Sequence, residues 1–314
     1  MRLASLFVAF LVTATSFSAA AAEPIKELNI SYVKPPFVLQ LLVMKNHKLL
    51  EKEFQADGIK INWHNMGTSP QAARAMSSGS LDIAGNMNTA ALLMLNSEGL
   101  PVRVVTGTAH PTSNFAIVSK PGTELSVKDL KGKQVVGPKG TFLHQLLVAA
   151  LEKEGMRESD VQFINMGIPK ALSTILAGHA DAALVASSAL IKANKAGAKT
   201  IINAEGLIEP TLVMTTTKQF AEEHPDIVKR VDKVYAESLR WMKDHPSETA
   251  EMGAKEHGIS IEDAKTLMER SHYFDKMTTK DLEDLKVNQK FLRDNGMMRN
   301  EVTVEELVLP VAME

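Results

Sequence analysis

Four stretches of this sequence put uncharged hydrogen-bonding side chains where a strand gives way to a helix. Ser69 and Gln71 flank Pro70. Asn86, Met87, Asn88 and Thr89 follow the apolar run 81–85. Gly140, Thr141 and Phe142 follow the run 134–136, and Ser187 and Ser188 follow 180–184. The start of a helix leaves N–H groups unpaired and carries partial positive charge, so such places hold anions. The chemistry this pattern favours is therefore capture of a small anion by neutral donors. Thr141 is the leading candidate, because Gly140 precedes it and a helix follows. Its hydroxyl and the N–H groups of Phe142 and Leu143 can face a ligand, and a plain N-cap role is compatible with that. Residues 86–89 admit a second reading as turn chemistry. A cap accounts for Ser69, whereas Gln71 has no evident structural duty and is free to reach a ligand. Arg74 is expected to be solvated. His144, in the first turn of its helix, is disfavoured as a cation there; it would be neutral if it contacts ligand, and a plain surface cap is the expected reading. Phe37 and Tyr273 are candidate cleft walls, and Met66, Met87 and Met166 candidate flooring.

Bond-making chemistry finds little support. The chain has no cysteine, and its nine histidines show no pairing with each other or with acids at metal-ligand spacing. No metal or cofactor is expected. No serine–histidine–acid spacing stands out, although such triads need not be close in sequence. An enzyme is not expected. A formal net charge of −2 carries no basic footprint for nucleic acid.

The elements that would position these residues come as a repeat. Pro70, Gly79, Asp82 and Ala90 recur at one constant offset as Pro169, Gly178, Asp181 and Ala189. Each copy reads as loop, helix, short buried strand, loop and helix. Proline suits the first helical turn, glycine the left-handed cap, and Asn88 or Thr89, Ser187 or Ser188, the next N-cap. Two copies in register argue for two similar α/β lobes facing each other. Strands are expected at 28–33, 59–66, 101–108, 115–119, 134–136, 161–166, 199–202 and 212–216, with helices at 37–50 and 142–154. Alternation of strands with helices implies mainly parallel or mixed sheets. Polar, proline-containing segments near His110 and Pro210 are the expected crossings. Lobe 1 would comprise residues 23–110 with 211–314, and lobe 2 residues 111–210. After Lys218 the pattern becomes helical, giving a tail expected to pack on lobe 1. The first residues combine Arg2, an apolar core and Ala20-Ala21-Ala22, which reads as a secretory signal cleaved after Ala22. A soluble, exported, monomeric product is expected.

These motifs resemble a known family. Residues 67–85 (G-x-x-P-Q-A-A-x-A, then G-x-L-D-I-A-G), D-L-K-G-K-x-V at 129–135, K-G-T-x-x-H at 139–144 and A-G-x-x-D-A-A at 177–183 are similar to the substrate-binding proteins of nitrate/sulfonate/taurine-type ABC importers. The segment 291–307 is similar too. The resemblance implies a two-lobed periplasmic binding protein of type II-like fold, with a two-crossing hinge and an inner-membrane permease as partner. It implies that Thr68, Ser69, Gln71, residues 86–89, 140–142, Ser187 and Ser188 match the family's anion-binding positions. Members often carry small hydroxyl residues where this chain has Thr141-Phe142-Leu143, so Phe142 favours an organic tail on the anion. Sulfonates, taurine, nitrate and neutral pyrimidines all occupy relatives. An enzyme on the same scaffold, of the thiamin-pyrimidine type, and a periplasmic ligand sensor are the alternatives.

Overall fold

The computed structural model describes residues 25–33 and 37–313. The expected leader and its cleavage after Ala22 lie outside them. The chain builds β1 (Glu27–Tyr32), α1 (Leu39–Asn46), α2 (Leu49–Glu53), β2 (Lys60–Asn65), α3 (Ser69–Ser77), β3 (Ile83–Asn88), α4 (Thr89–Ser97) and β4 (Val102–Ala109). It then crosses to β5 (Phe115–Ser119), β6 (Gln134–Gly137), α5 (Phe142–Lys153), β7 (Gln162–Asn165), α6 (Ile168–Leu176), β8 (Ala182–Ala186), α7 (Ser188–Lys195) and β9 (Thr200–Asn203). It returns through β10 (Leu212–Thr217) and ends in α8 (Lys218–Glu223), α9 (Pro225–Asp244), α10 (Pro246–His257), α11 (Ile261–Glu269), α12 (Thr279–Asp294) and α13 (Pro310–Met313).

The two sheets repeat one topology. The first runs β2-β1-β3-β10-β4 and the second β7-β6-β8-β5-β9. In each, three neighbouring strands are parallel and one is antiparallel to its neighbours. The antiparallel strand is in both cases the one that has just arrived from the other lobe, β10 or β5. The repeated aspartates are structural. Asp82 accepts the N–H of Asn29 at 2.7 Å, and Asp181 accepts that of Gln134 at 3.1 Å, so each ties its strand to the start of the neighbouring one. Strands β4, β5 and β8 are buried along their whole length, as strands covered on both faces must be.

The crossings touch. The Oγ1 of Thr211 lies 3.3 Å from His110 Nδ1, and His110 Nε2 lies 3.3 Å from Asp281. Burial holds the His110 pKa below its ordinary value despite Asp281. His110 is thus neutral near pH 7.

Three expectations are corrected. The helix expected over 37–50 breaks at Lys48, whose φ of 52 starts a separate α2. The helical stretch expected after Lys218 breaks first at His224, because Pro225 begins α9. The tail packs mainly on lobe 1 but also grips lobe 2. Asn288 of α12 accepts from Gln145 of α5 at 2.7 Å, and α11 meets α7 through the pair Lys195–Asp263.

Candidate functional site

The cleft between the lobes is lined by side chains from both. Lobe 1 supplies most of its polar side chains: Ser31, Thr68, Ser69, Asn86 and Asn88. Alternation along β3 turns Asn86 and Asn88 to the cleft and Met87 to the core. Asn88 is the hub. Its Oδ1 caps α4 by accepting the N–H of Ala91 at 2.8 Å, and its Nδ2 donates to Ser69 Oγ at 2.9 Å. The backbone N–H of Asn88 also donates to Ser69 Oγ, at 3.3 Å. Ser69 therefore accepts twice and keeps its own O–H to give. Ser31 is similar: its Oγ accepts the N–H of Gly85 at 3.3 Å. Only glycine permits this, since a Cβ at position 85 would sit 2.2 Å from the Ser31 carbonyl oxygen.

Lobe 2 contributes Phe115, Pro138, Thr141, Phe142, Leu143 and Ile168. Thr141 holds the N-cap position of α5 without capping it. Its hydroxyl donates to the Pro138 carbonyl at 2.9 Å. The first-turn N–H groups of α5 are left without a side-chain cap, as are those of α6 behind Gly167. In lobe 1, by contrast, Thr68 accepts the N–H of Gln71 in α3, and Asn88 caps α4. Phe142 meets Phe115 edge-on, with ring centroids 6.4 Å apart. Val33, Met66, Ala72 and Leu212 complete the apolar lining, and among the described residues no Asp, Glu, Lys, Arg or His lines the cleft. Among the described residues, no three His, Asp or Glu side chains are placed to hold a metal ion.

Of the residues singled out from sequence, Met66, Thr68, Ser69, Asn86, Asn88, Thr141 and Phe142 come together on the cleft. The remaining candidates named below lie elsewhere. Gln71 turns back so that its Oε1 accepts the N–H of Gly67 at 2.9 Å, a structural duty unseen in the sequence. Thr68, not Ser69, caps α3. Met87 is wholly buried behind β3. Thr89 is buried, its N–H on the Thr211 carbonyl at 3.1 Å. Gly140 packs toward Pro70 and Met94 of the opposite lobe. Ser187 occupies the position before α7 but, with φ of 50, makes no cap bond. Its Oγ accepts the N–H of Phe37, and Ser188 Oγ lies 3.1 Å from His257 Nδ1. Tyr273 donates to the Phe37 carbonyl at 2.7 Å, and burial raises its pKa. Phe37 is no cleft wall; it sits in a second core with Leu39, Val43 and Met242.

His144 is not a surface cap. It is buried, 3.0 Å from Glu158 and stacked on Phe163, and desolvation holds its pKa below the ordinary value. Sequence reasoning missed Ser31, Val33, Phe115, Pro138, Ile168 and Leu212. Ser31 alone carried a signal, a small polar residue within an apolar strand.

Known proteins share this architecture. An aliphatic-sulfonate-binding protein, so named, from Bacillus subtilis strain 168 is 26% identical over 252 residues, 78% of this chain and 74% of its own length. The taurine-binding periplasmic protein of Escherichia coli K12 is 29% identical over 180 residues, 56% of this chain and 55% of that protein. The structure of the alkanesulfonate-binding protein SsuA from Xanthomonas axonopodis pv. citri, bound to MOPS, superimposes with a TM-score of 0.79 at 20% identity, covering 92% of this chain and 99% of that one. At such identity the likeness establishes the two-lobed periplasmic-binding-protein fold. The profile of the family described as NMT1/THI5 like matches residues 53–249, well over half of the sequence, and the chain belongs to that family.

Proposed function

We propose that the chain is the periplasmic substrate-binding component of an ABC importer, capturing a small organic anion with an apolar tail, a sulfonate above all. The observation that carries this reading is a cleft rich in neutral donors and, among the described residues, free of charged side chains. The Ser31 and Ser69 hydroxyls, the Asn86 and Asn88 amides and the open first turns of α5 and α6 suit the oxygens of a monoanion. Hydrogen bonds to a charged group contribute about 1.5–3 kcal/mol each. Three or four of them, with a partly buried tail, reach the roughly 8 kcal/mol of micromolar binding once association costs are met. A dianion would bring more charge than helix ends and hydroxyls neutralise, and a ligand ammonium would find no carboxylate.

Among the described residues, the cleft hydroxyls have no histidine or carboxylate beside them to act as a base, so binding is favoured over hydrolysis. Among the described residues no helix is long and apolar enough to cross a membrane. Together with the leader-like start, this supports an exported protein that delivers its ligand to an inner-membrane permease. Calorimetry with 1-hexanesulfonate, taurine, nitrate and hexanoate tests the proposal. Micromolar binding of hexanesulfonate, with taurine at least tenfold weaker, is the expected result. Taurine binding more tightly would overturn the tail assignment, and no binding by any of the four would overturn the ligand class.

A further inference from the structure

Position 187 stands out by its backbone. Ser187 has φ of 50 and ψ of −120 and is wholly buried, a conformation that side chains with a Cβ rarely adopt. Such outliers persist only where surrounding bonds over-determine them, and they gather at clamps and switches. Besides the bond from the Ile191 N–H to the Ser187 carbonyl that opens α7, two bonds hold this one. The Ser187 N–H donates to the Asn114 carbonyl within lobe 2 at 2.8 Å, and Ser187 Oγ accepts the N–H of Phe37 at 3.3 Å. Phe37 is anchored in lobe 1, its ring packed with Leu39 and Met242. The second bond therefore spans the lobes.

The helix that follows repeats the connection. Ser188 faces His257, Lys192 reaches the His257 carbonyl, and Lys195 pairs with Asp263. We propose that Ser187 is the latch of the closed state, a positioning residue that sets ligand affinity without touching the ligand. Closure gives the Phe37 N–H its acceptor and holds Ser187 in its disfavoured conformation. Opening surrenders the bond and releases the conformation, so the closed state is held but not locked. The inference rests on the two-lobe capture proposed above, yet its test does not need a ligand.

The chain has no native cysteine, so Lys195→Cys with Asp263→Cys reports closure through its rate of trapping by a short bis-methanethiosulfonate linker. In that background, without ligand, Ser187→Ala should slow trapping about fivefold, the loss of one ordinary hydrogen bond. Ser187→Gly lacks the same bond but sheds the disfavoured conformation, so it should slow trapping less. The affinity for 1-hexanesulfonate should fall with the trapping rate. Unchanged trapping in Ser187→Ala overturns the latch, and a Gly variant no faster than the Ala variant overturns the part assigned to the backbone. Slowed trapping in a protein that binds no sulfonate would sustain the latch while sinking the proposed ligand.

Discussion

Residues 88 and 187 are equivalent in the repeat, and the two lobes use them differently. Asn88 has an ordinary extended backbone, caps its helix and faces the cleft. Ser187 has a left-handed φ, caps nothing and faces the other lobe. The contrast extends to whole walls. Lobe 1 caps α3 and α4 with Thr68 and Asn88 and offers side-chain donors, while lobe 2 leaves α5 and α6 uncapped and offers backbone donors among apolar side chains. A duplicated frame thus yields a cleft with a polar side and a greasy side, which orients a molecule having a head and a tail.

The largest effect should come from removing the hub of the polar wall. Asn88→Ala deletes a cleft donor, frees Ser69 to reorient and uncaps α4. A bond to a charged ligand at the upper end of the usual range corresponds to about a hundredfold in affinity, and the lost cap to about 1 kcal/mol of stability. Titration calorimetry and thermal denaturation read the two separately. Wild-type affinity in this variant would break the assignment of the ligand head to lobe 1. A smaller effect should come from the greasy wall. Phe142→Ser should weaken 1-hexanesulfonate about tenfold, on the scale of removing an aromatic ring from an apolar contact. It should leave methanesulfonate nearly untouched. The ratio of the two affinities cancels any general loosening of the fold, and a ratio equal to wild type would mean that the tail does not lie along lobe 2.

What the sequence disclosed and what it hid follow from range. Asp82 and Asp181, the glycine caps at 79 and 178 and the first-turn prolines act within a few residues of their partners or along one strand pair, so their repeat announced the two lobes. Asn86, Asn88 and Phe142 were legible because strand ends adjoin helix starts. Leu212 and Phe115 were not, because both belong to strands that have just crossed between lobes, and a uniformly apolar strand does not reveal which face meets the cleft. Ser187 was legible as a polar residue before a helix, but its φ and its partner Phe37 depend on how the lobes meet. Gln71 was misread because the N–H it satisfies, that of Gly67, lies behind it in the chain.

The smallest effect concerns acid, and it separates the lobes once more. His144, two residues past Phe142 on α5, is buried against Phe163 with its Nδ1 unpartnered among the described residues. Its folded pKa lies below the ordinary histidine value because desolvation outweighs Glu158. The unfolded chain therefore binds more protons in this window, and stability must decline as pH falls through about 6.5, the unfolded histidine value, toward the folded one. Above that window the contribution is complete. His110 at the crossings, depressed for the same reason, adds a parallel slope. Replacing His144 by glutamine, which cannot take up a proton here, should flatten part of the decline in melting temperature between pH 7 and pH 5. The His110 share should remain. Parallel melting curves for variant and wild type across that range would mean that the acid response lies in the hinge and not in the wall that lobe 2 presents to the cleft.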